Sequence, residues 1–214
     1  MEISFKARNS NIKEAQKVCR IIRKNFDYIS PSKIEKEMPL SGYLDNRILK
    51  FLYKKKSQIY EQRTGGFFIR SKLKKCEEII YNTLRNKVAN CYELSTITEM
   101  LLKINGIKNC AKASLVTSKG KPIEHSVTCI FPKNPNNTKK IIIIDPWLQE
   151  CGYIDEMMTK YKNQYKDYFE TINNNELSIK INDSLKLKEK EIEKLTKKFK
   201  ELKNFNINKK AFDI

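Results

Sequence analysis

The hydrophobic period of the chain changes at Asn105-Gly106, and no other sequence feature constrains the fold as much. Before that dipeptide, Leu94, Ile97, Leu101 and Ile104 recur at three- and four-residue spacing, the signature of one helix face. Asn-Gly suits the end of such a helix, because glycine takes the left-handed conformation without penalty. After it the period drops towards two. "CAKASLVT" (Cys110–Thr117) has the length and composition of a strand, and "SKGKP" is a hairpin-type turn. "IEHSVTCIF" (residues 123–131) alternates, with His125, Val127, Cys129 and Phe131 on one face. "PKNPNNTKK" reads as a loop. "IIIIDPW" reads as a buried strand that must stop before Pro146, which has no N–H to give a ladder. Short connections between these strands imply antiparallel pairing. The expected class is α+β, a central helix packed on a small antiparallel sheet.

Helical patterns flank this centre. Asn11 with Glu14 makes a weak capping box. Ala15, Val18, Cys19, Ile22 and Phe26 then share a face up to Pro31. Further helical stretches cover residues 44–62 and 71–87, separated by a break at Thr64-Gly65-Gly66. Helix returns after Asp155. "TINNNELSIKIND" reads as irregular, and residues 184–203 form a last amphipathic helix. Its apolar heptad spacing is too short for a coiled coil. The expected organisation is a helical, basic part at 1–87, an α+β core at 88–158 and C-terminal helices at 159–214, forming one compact domain overall. A chain of 214 residues can bury one substantial core.

Composition removes several classes. The longest apolar run, Ile141 to Ile144, is far short of the ~20 residues of a membrane span. "MEISFKARNS" lacks the apolar stretch of a signal peptide. The six cysteines are scattered with no C-x-x-C pair, which argues against a disulfide framework and a zinc ribbon. No metal site and no cofactor is expected. The expected location is cytoplasmic as synthesised, with delivery into a host cell by a specialised route as the alternative. The net charge of +18 divides as +12 over residues 1–87, +1 over 88–158 and +5 over 159–214. The charge therefore sits outside the central core.

The chemistry lies in that core. Cys91 opens the central helix, where unpaired N–H groups and the positive end of the dipole favour a thiolate. A thiolate nucleophile needs a base, usually histidine, and the histidine needs an orienting partner. The only histidine, His125, lies 34 residues on, in the alternating strand. Asp145 follows 20 residues later, at the end of the isoleucine strand. Each residue alone has a plain structural explanation: a small buried cysteine, a satisfied strand histidine, an Asp-Pro turn. The order helix-Cys, strand-His, strand-Asp points to a catalytic triad.

Residues 86–147 resemble the catalytic core of the transglutaminase-like superfamily, within the papain-like class of cysteine enzymes. The resemblance rests on the Cys-headed helix ending in "LLKINGI", the strand "EHSVTCIF" and the strand "IIIIDPW". It implies Cys91 as nucleophile, His125 as general base and acid, and Asp145 as the residue that orients the imidazole. It implies acyl transfer through a thioester on amide bonds of a protein or peptide, of protease, glutamine deamidase or transglutaminase type. The Cys91 backbone N–H is a natural oxyanion donor. Asn90, Tyr92, Asn86 and Trp147 are the candidate oxyanion or substrate residues. Two departures stand out: "ANC" replaces the usual glycine two residues before the cysteine, and no upstream glutamine stands in the oxyanion position. The "CYEL" run is also similar to arylamine N-acetyltransferases, whose Arg-Gly-Gly before the cysteine is missing here. Small, basic members with helical additions occur among secreted bacterial effectors.

A second class of function competes. Residues 51–75 interleave aromatics with Lys54, Lys55, Lys56, Arg63, Arg70, Lys72, Lys74 and Lys75 against the single acid Glu61. Basic charge beside stacking residues is the footprint of nucleic-acid binding and also suits an acidic partner or an anionic membrane. The protein is expected to be a monomer.

Overall fold

The computed structural model describes residues 3–26, 28–37, 46–64, 72–165, 176–182 and 184–203. Four helices come first: α1 (Ile3–Asn25), α2 (Pro31–Glu37), α3 (Asn46–Thr64) and α4 (Lys72–Asn86). The central helix α5 (Cys91–Ile104) leads into β1 (Cys110–Thr117), β2 (Pro122–Ile130), β3 (Ile142–Asp145) and β4 (Glu150–Tyr153). Then come α6 (Ile154–Asn163), β5 (Leu177–Ile181) and α7 (Glu189–Lys203). The class is mixed α+β. The five described strands form one antiparallel sheet in the order β4-β3-β2-β1-β5.

The change of period works as the sequence suggests. Gly106, at φ 83°, closes α5 in a Schellman motif: its N–H donates to the Lys103 carbonyl at 3.1 Å, and the Ile107 N–H donates to Leu102 at 2.9 Å. Gly120, at φ 75°, supplies the left-handed residue of the β1–β2 hairpin. β3 lies between β2 and β4, and all four of its residues are buried.

Five features depart from the sequence reading. α1 starts at Ile3 rather than Asn11. Pro31 does not merely follow a helix: it opens α2, where its fixed φ and missing N–H cost nothing. β4 and β5 were not foreseen. β4 is a four-residue edge strand with no clean alternation, and β5 occupies part of the stretch read as irregular. α7 begins at Glu189, five residues later than expected.

The helix α5 is central in a stronger sense than its apolar stripe implied. Every residue from Glu93 to Lys103 is buried, including Ser95, Thr96, Thr98 and Glu99. It packs on β1, β2 and β3 and touches α1, α4 and α7. A helix covered on all sides must pair its polar groups internally. Thr98 Oγ1 donates to the Leu94 carbonyl at 2.7 Å, and the Leu185 N–H donates to Glu99 Oε1 at 2.8 Å. Thr128 Oγ1 of β2 donates to the Ser95 carbonyl at 2.8 Å, which ties sheet to helix.

Candidate active site

Asn90 caps α5 with extended backbone, and its N–H donates to Glu93 Oε2 at 3.0 Å, the reciprocal half of a capping box. Cys91 is therefore the first residue of the helix, and its N–H belongs to the turn that has no intrahelical acceptor. Its side chain is half-buried. Sγ rests 4.0 Å from the carbonyl oxygen of Glu124, the residue before His125.

The β2–β3 register explains how histidine and aspartate meet. Thr128 pairs with Ile144. One step further along the same register sets Asp145 opposite Val127, and His125 lies two residues on, the next position on that face. His125 Nε2 and Asp145 Oδ2 are 2.6 Å apart. Cys91 lies near enough to the imidazole to favour its charged form. The three predicted residues are thus brought together in the order Cys91–His125–Asp145.

Burial governs the electrostatics. His125 and Asp145 are both buried. Burial alone would push the imidazole towards neutrality, but the Asp145 charge and hydrogen bond, with help from Cys91, outweigh it and raise the His125 pKa above its ordinary value. Asp145 is fully engaged. Tyr161 Oη donates to Oδ2 at 2.9 Å, and the Leu148 N–H donates to Oδ1 at 3.1 Å. The first holds the carboxylate against α6, and the second folds the turn after β3 around it. Burial pushes the thiols of Cys19, Cys110 and Cys129 up to about 12, that of Cys76 to about 11, and that of Cys151 upward as well. These five are poor nucleophiles.

Trp147 covers the imidazole, its ring centroid 5.1 Å from that of His125 and tilted by 57°. Its Nε1 donates to Ser30 Oγ at 2.7 Å, and Ser30 Oγ donates to Asn90 Oδ1 at 2.9 Å. Ser32 Oγ donates to the same oxygen at 2.8 Å. The strip carrying these serines is pinned beside the approach to Cys91. The Ile29 N–H donates to the Lys87 carbonyl at 2.9 Å, and the Ala89 N–H donates back to Ile29 at 3.1 Å. Tyr28 Oη reaches the Pro146 carbonyl at 3.1 Å.

Of the four predicted helpers, Asn90 and Trp147 join the site. Asn86 ends α4, where its carbonyl accepts from Lys55 Nζ at 3.1 Å. The Tyr92 ring takes the Lys112 ammonium, 3.5 Å from its centroid. Ser30, Tyr28 and Tyr161 were missed, since only folding brings them to the triad. Tyr161 had one legible signal, its place four residues after Met157 on the buried face of α6. In the basic region, Lys54, Lys56, Lys74 and Lys75 are exposed and Lys55 is half-buried. The side chains of Arg63 and Lys72, and the whole of Arg70, lie outside the described residues. Among the described residues no group of three or more His, Cys, Asp or Glu side chains could hold a metal, and no helix is long and apolar enough to cross a membrane.

At the head of α5 a half-buried thiol thus lies near an imidazole held by a buried carboxylate, on a mixed α+β scaffold. No family model, no curated protein and no solved structure matches the chain.

Proposed function

We propose that the chain is a cysteine-dependent acyl-transfer enzyme with a papain-like or transglutaminase-like core, acting on amide bonds of a protein or peptide. One observation carries this reading: a buried imidazole held by Asp145 through Nε2 at 2.6 Å, with the half-buried Cys91 thiol at the head of α5 packed 4.0 Å from the carbonyl of Glu124, the residue before that histidine. A purely structural histidine needs no half-exposed thiol as its second partner.

The steps follow from the placement of the atoms. His125 Nδ1 takes the proton from Cys91 Sγ, and Asp145 stabilises the imidazolium. Sγ attacks the amide carbon, and the carbonyl electrons move to oxygen. The Cys91 N–H at the head of α5 is available to that oxyanion. Collapse breaks the C–N bond, and His125 gives its proton to the departing amine. The resulting thioester is attacked by water or by an amine, which passes its proton to His125. The thiol is then restored. Water acting on a peptide makes a protease, water on a glutamine side chain a deamidase, and an amine a transglutaminase.

The test is a proteome-wide comparison of cell lysate treated with the wild-type protein or with Cys91→Ala. New chain termini, glutamine deamidation or isopeptide cross-links confined to the wild type are expected. Identical proteomes across lysates of several cell types would count against catalysis.

A second reading, binding of nucleic acid or an anionic membrane, has its own observation. On α3, Tyr53 and Tyr60 are 69% and 68% exposed beside the exposed Lys54 and Lys56. This face and the triad are compatible in one molecule.

A further inference from the structure

A cavity of about 350 Å³ lies against Trp147, the ring that packs on His125. Its walls are shared with the site. Trp147, which covers the His125 ring, lines it, and so does Ser30, which holds both Trp147 and Asn90. Two cationic side chains also line it: Arg23, in the last turn of α1, and Lys33, in α2. No described lining residue is acidic. Phe26, Ile29 and Ile34 supply the apolar part of the lining, and Tyr28 and Gln149 complete it. The volume is at the lower end for a ligand pocket, enough for one or two side chains rather than a folded surface.

Resting on the acyl-transfer reading, we infer that this cavity is the specificity site of the enzyme and selects a substrate segment with an Asp or Glu side chain near the amide attacked by Cys91. Arg23 is exposed, and its planar guanidinium suits bidentate recognition of a carboxylate. Lys33 adds a second positive charge to the lining. Trp147 and Phe26, both buried, form the apolar side of the cavity. A basic segment meets two like charges and is rejected. The serine strip that lines the cavity also fixes Asn90, so a segment seated there lies along the approach to Cys91.

Trp147 is the only tryptophan in the chain, so it reports occupancy directly. The experiment uses full-length Cys91→Ala protein, which binds without turnover, and blocked pentapeptides of alanine with Glu, Gln or Lys at the centre. The expected result is a saturable change in Trp147 emission with the Glu peptide, at least tenfold tighter than with Gln and weakest with Lys. The preference for Glu over Gln should fall towards unity in Arg23→Gln/Lys33→Gln added to the same background. Equal affinity for the three peptides would overturn the inference. So would a Glu preference that survives the double substitution, whose folding is checked by circular dichroism. Should the double variant fail to fold, the single Arg23→Gln replaces it, with the same two outcomes. The acyl-transfer reading fails separately, through wild-type protein that binds the Glu peptide while the lysate comparison shows no modified protein.

Discussion

The two ends of α5 invite comparison, because each buries a polar network and only one has the makings of a site. At the C-terminal end, Lys103 Nζ lies 3.7 Å from Glu99 Oε1 and donates to the Cys110 carbonyl and to Ser184 Oγ, both at 3.2 Å. The Leu185 N–H closes on the same carboxylate oxygen. This network fastens the C-terminal segment to the central helix. Its nearby thiol, Cys110, is buried, and burial raises its pKa to about 12. At the N-terminal end the carboxylate is Asp145, the partner is an imidazole that can both take and give a proton, and the last member is a half-buried sulfur. Buried charge by itself marks cost and fixation. Both ends border a cavity; a proton carrier next to a reachable nucleophile is what distinguishes the head of the helix from its tail.

Substitutions at the two ends should separate cleanly. Cys91→Ala is expected to lower the activity seen in the lysate comparison by about 10⁴-fold or more while leaving the thermal midpoint near wild type. Glu99→Ala is expected to do the reverse. It strips the partner from Lys103 and the acceptor from the Leu185 N–H, costing about 3–5 kcal/mol in urea unfolding, and it leaves the kcat of the folded fraction close to wild type. Loss of activity without loss of stability in Glu99→Ala would erase the distinction.

The next largest effect concerns the single histidine, whose ring proton signals can be followed by NMR without assignment. His125 should titrate above the ordinary value of about 6.5, because Asp145 and Cys91 outweigh burial. It should move down in Cys91→Ala and further in Asp145→Asn. The sign for stability follows. A folded pKa raised above the unfolded one means that the native state holds the proton more tightly. This contribution is fully present below about pH 6.5 and is lost as pH rises through the folded value. The difference in unfolding free energy between wild type and His125→Asn should therefore shrink from pH 6 towards alkaline pH, by about 1.4 kcal/mol for every tenfold by which the native state binds the proton more tightly. A difference that grows with pH would contradict the assigned pairing. The smallest effect is expected far from the triad. Lys54→Glu/Lys56→Glu should leave peptide turnover unchanged and, if α3 contacts nucleic acid, weaken that binding and flatten its salt dependence by roughly two phosphate contacts.

The centre of the fold was legible because its signals are local. A 3.6-residue period ending in Asn-Gly, followed by alternation and a Pro-stopped isoleucine run, leaves few arrangements for α5, β1, β2 and β3. The triad was legible as an order of residue types on those elements. What escaped was either too short or too distant. β4 has four residues at a sheet edge, with one neighbour to satisfy and little pattern to show. Ser30 and Tyr161 reach the site across 60 and 16 residues of chain, through hydrogen bonds that no periodicity encodes. Tyr92 was placed beside the nucleophile by its position in sequence. Successive helix residues point about 100° apart, however, and its ring faces Lys112 on β1.

Residue-resolved alkylation tests the triad most directly. Native protein is exposed briefly to iodoacetamide at neutral pH, and each of the six cysteines is quantified by mass spectrometry in wild type and in His125→Asn. The triad predicts that Cys91 is carboxamidomethylated well ahead of the other five and that His125→Asn slows it at least about tenfold, since the thiolate loses its counter-ion. Six cysteines reacting at one slow rate, or a Cys91 rate indifferent to His125, would contradict it.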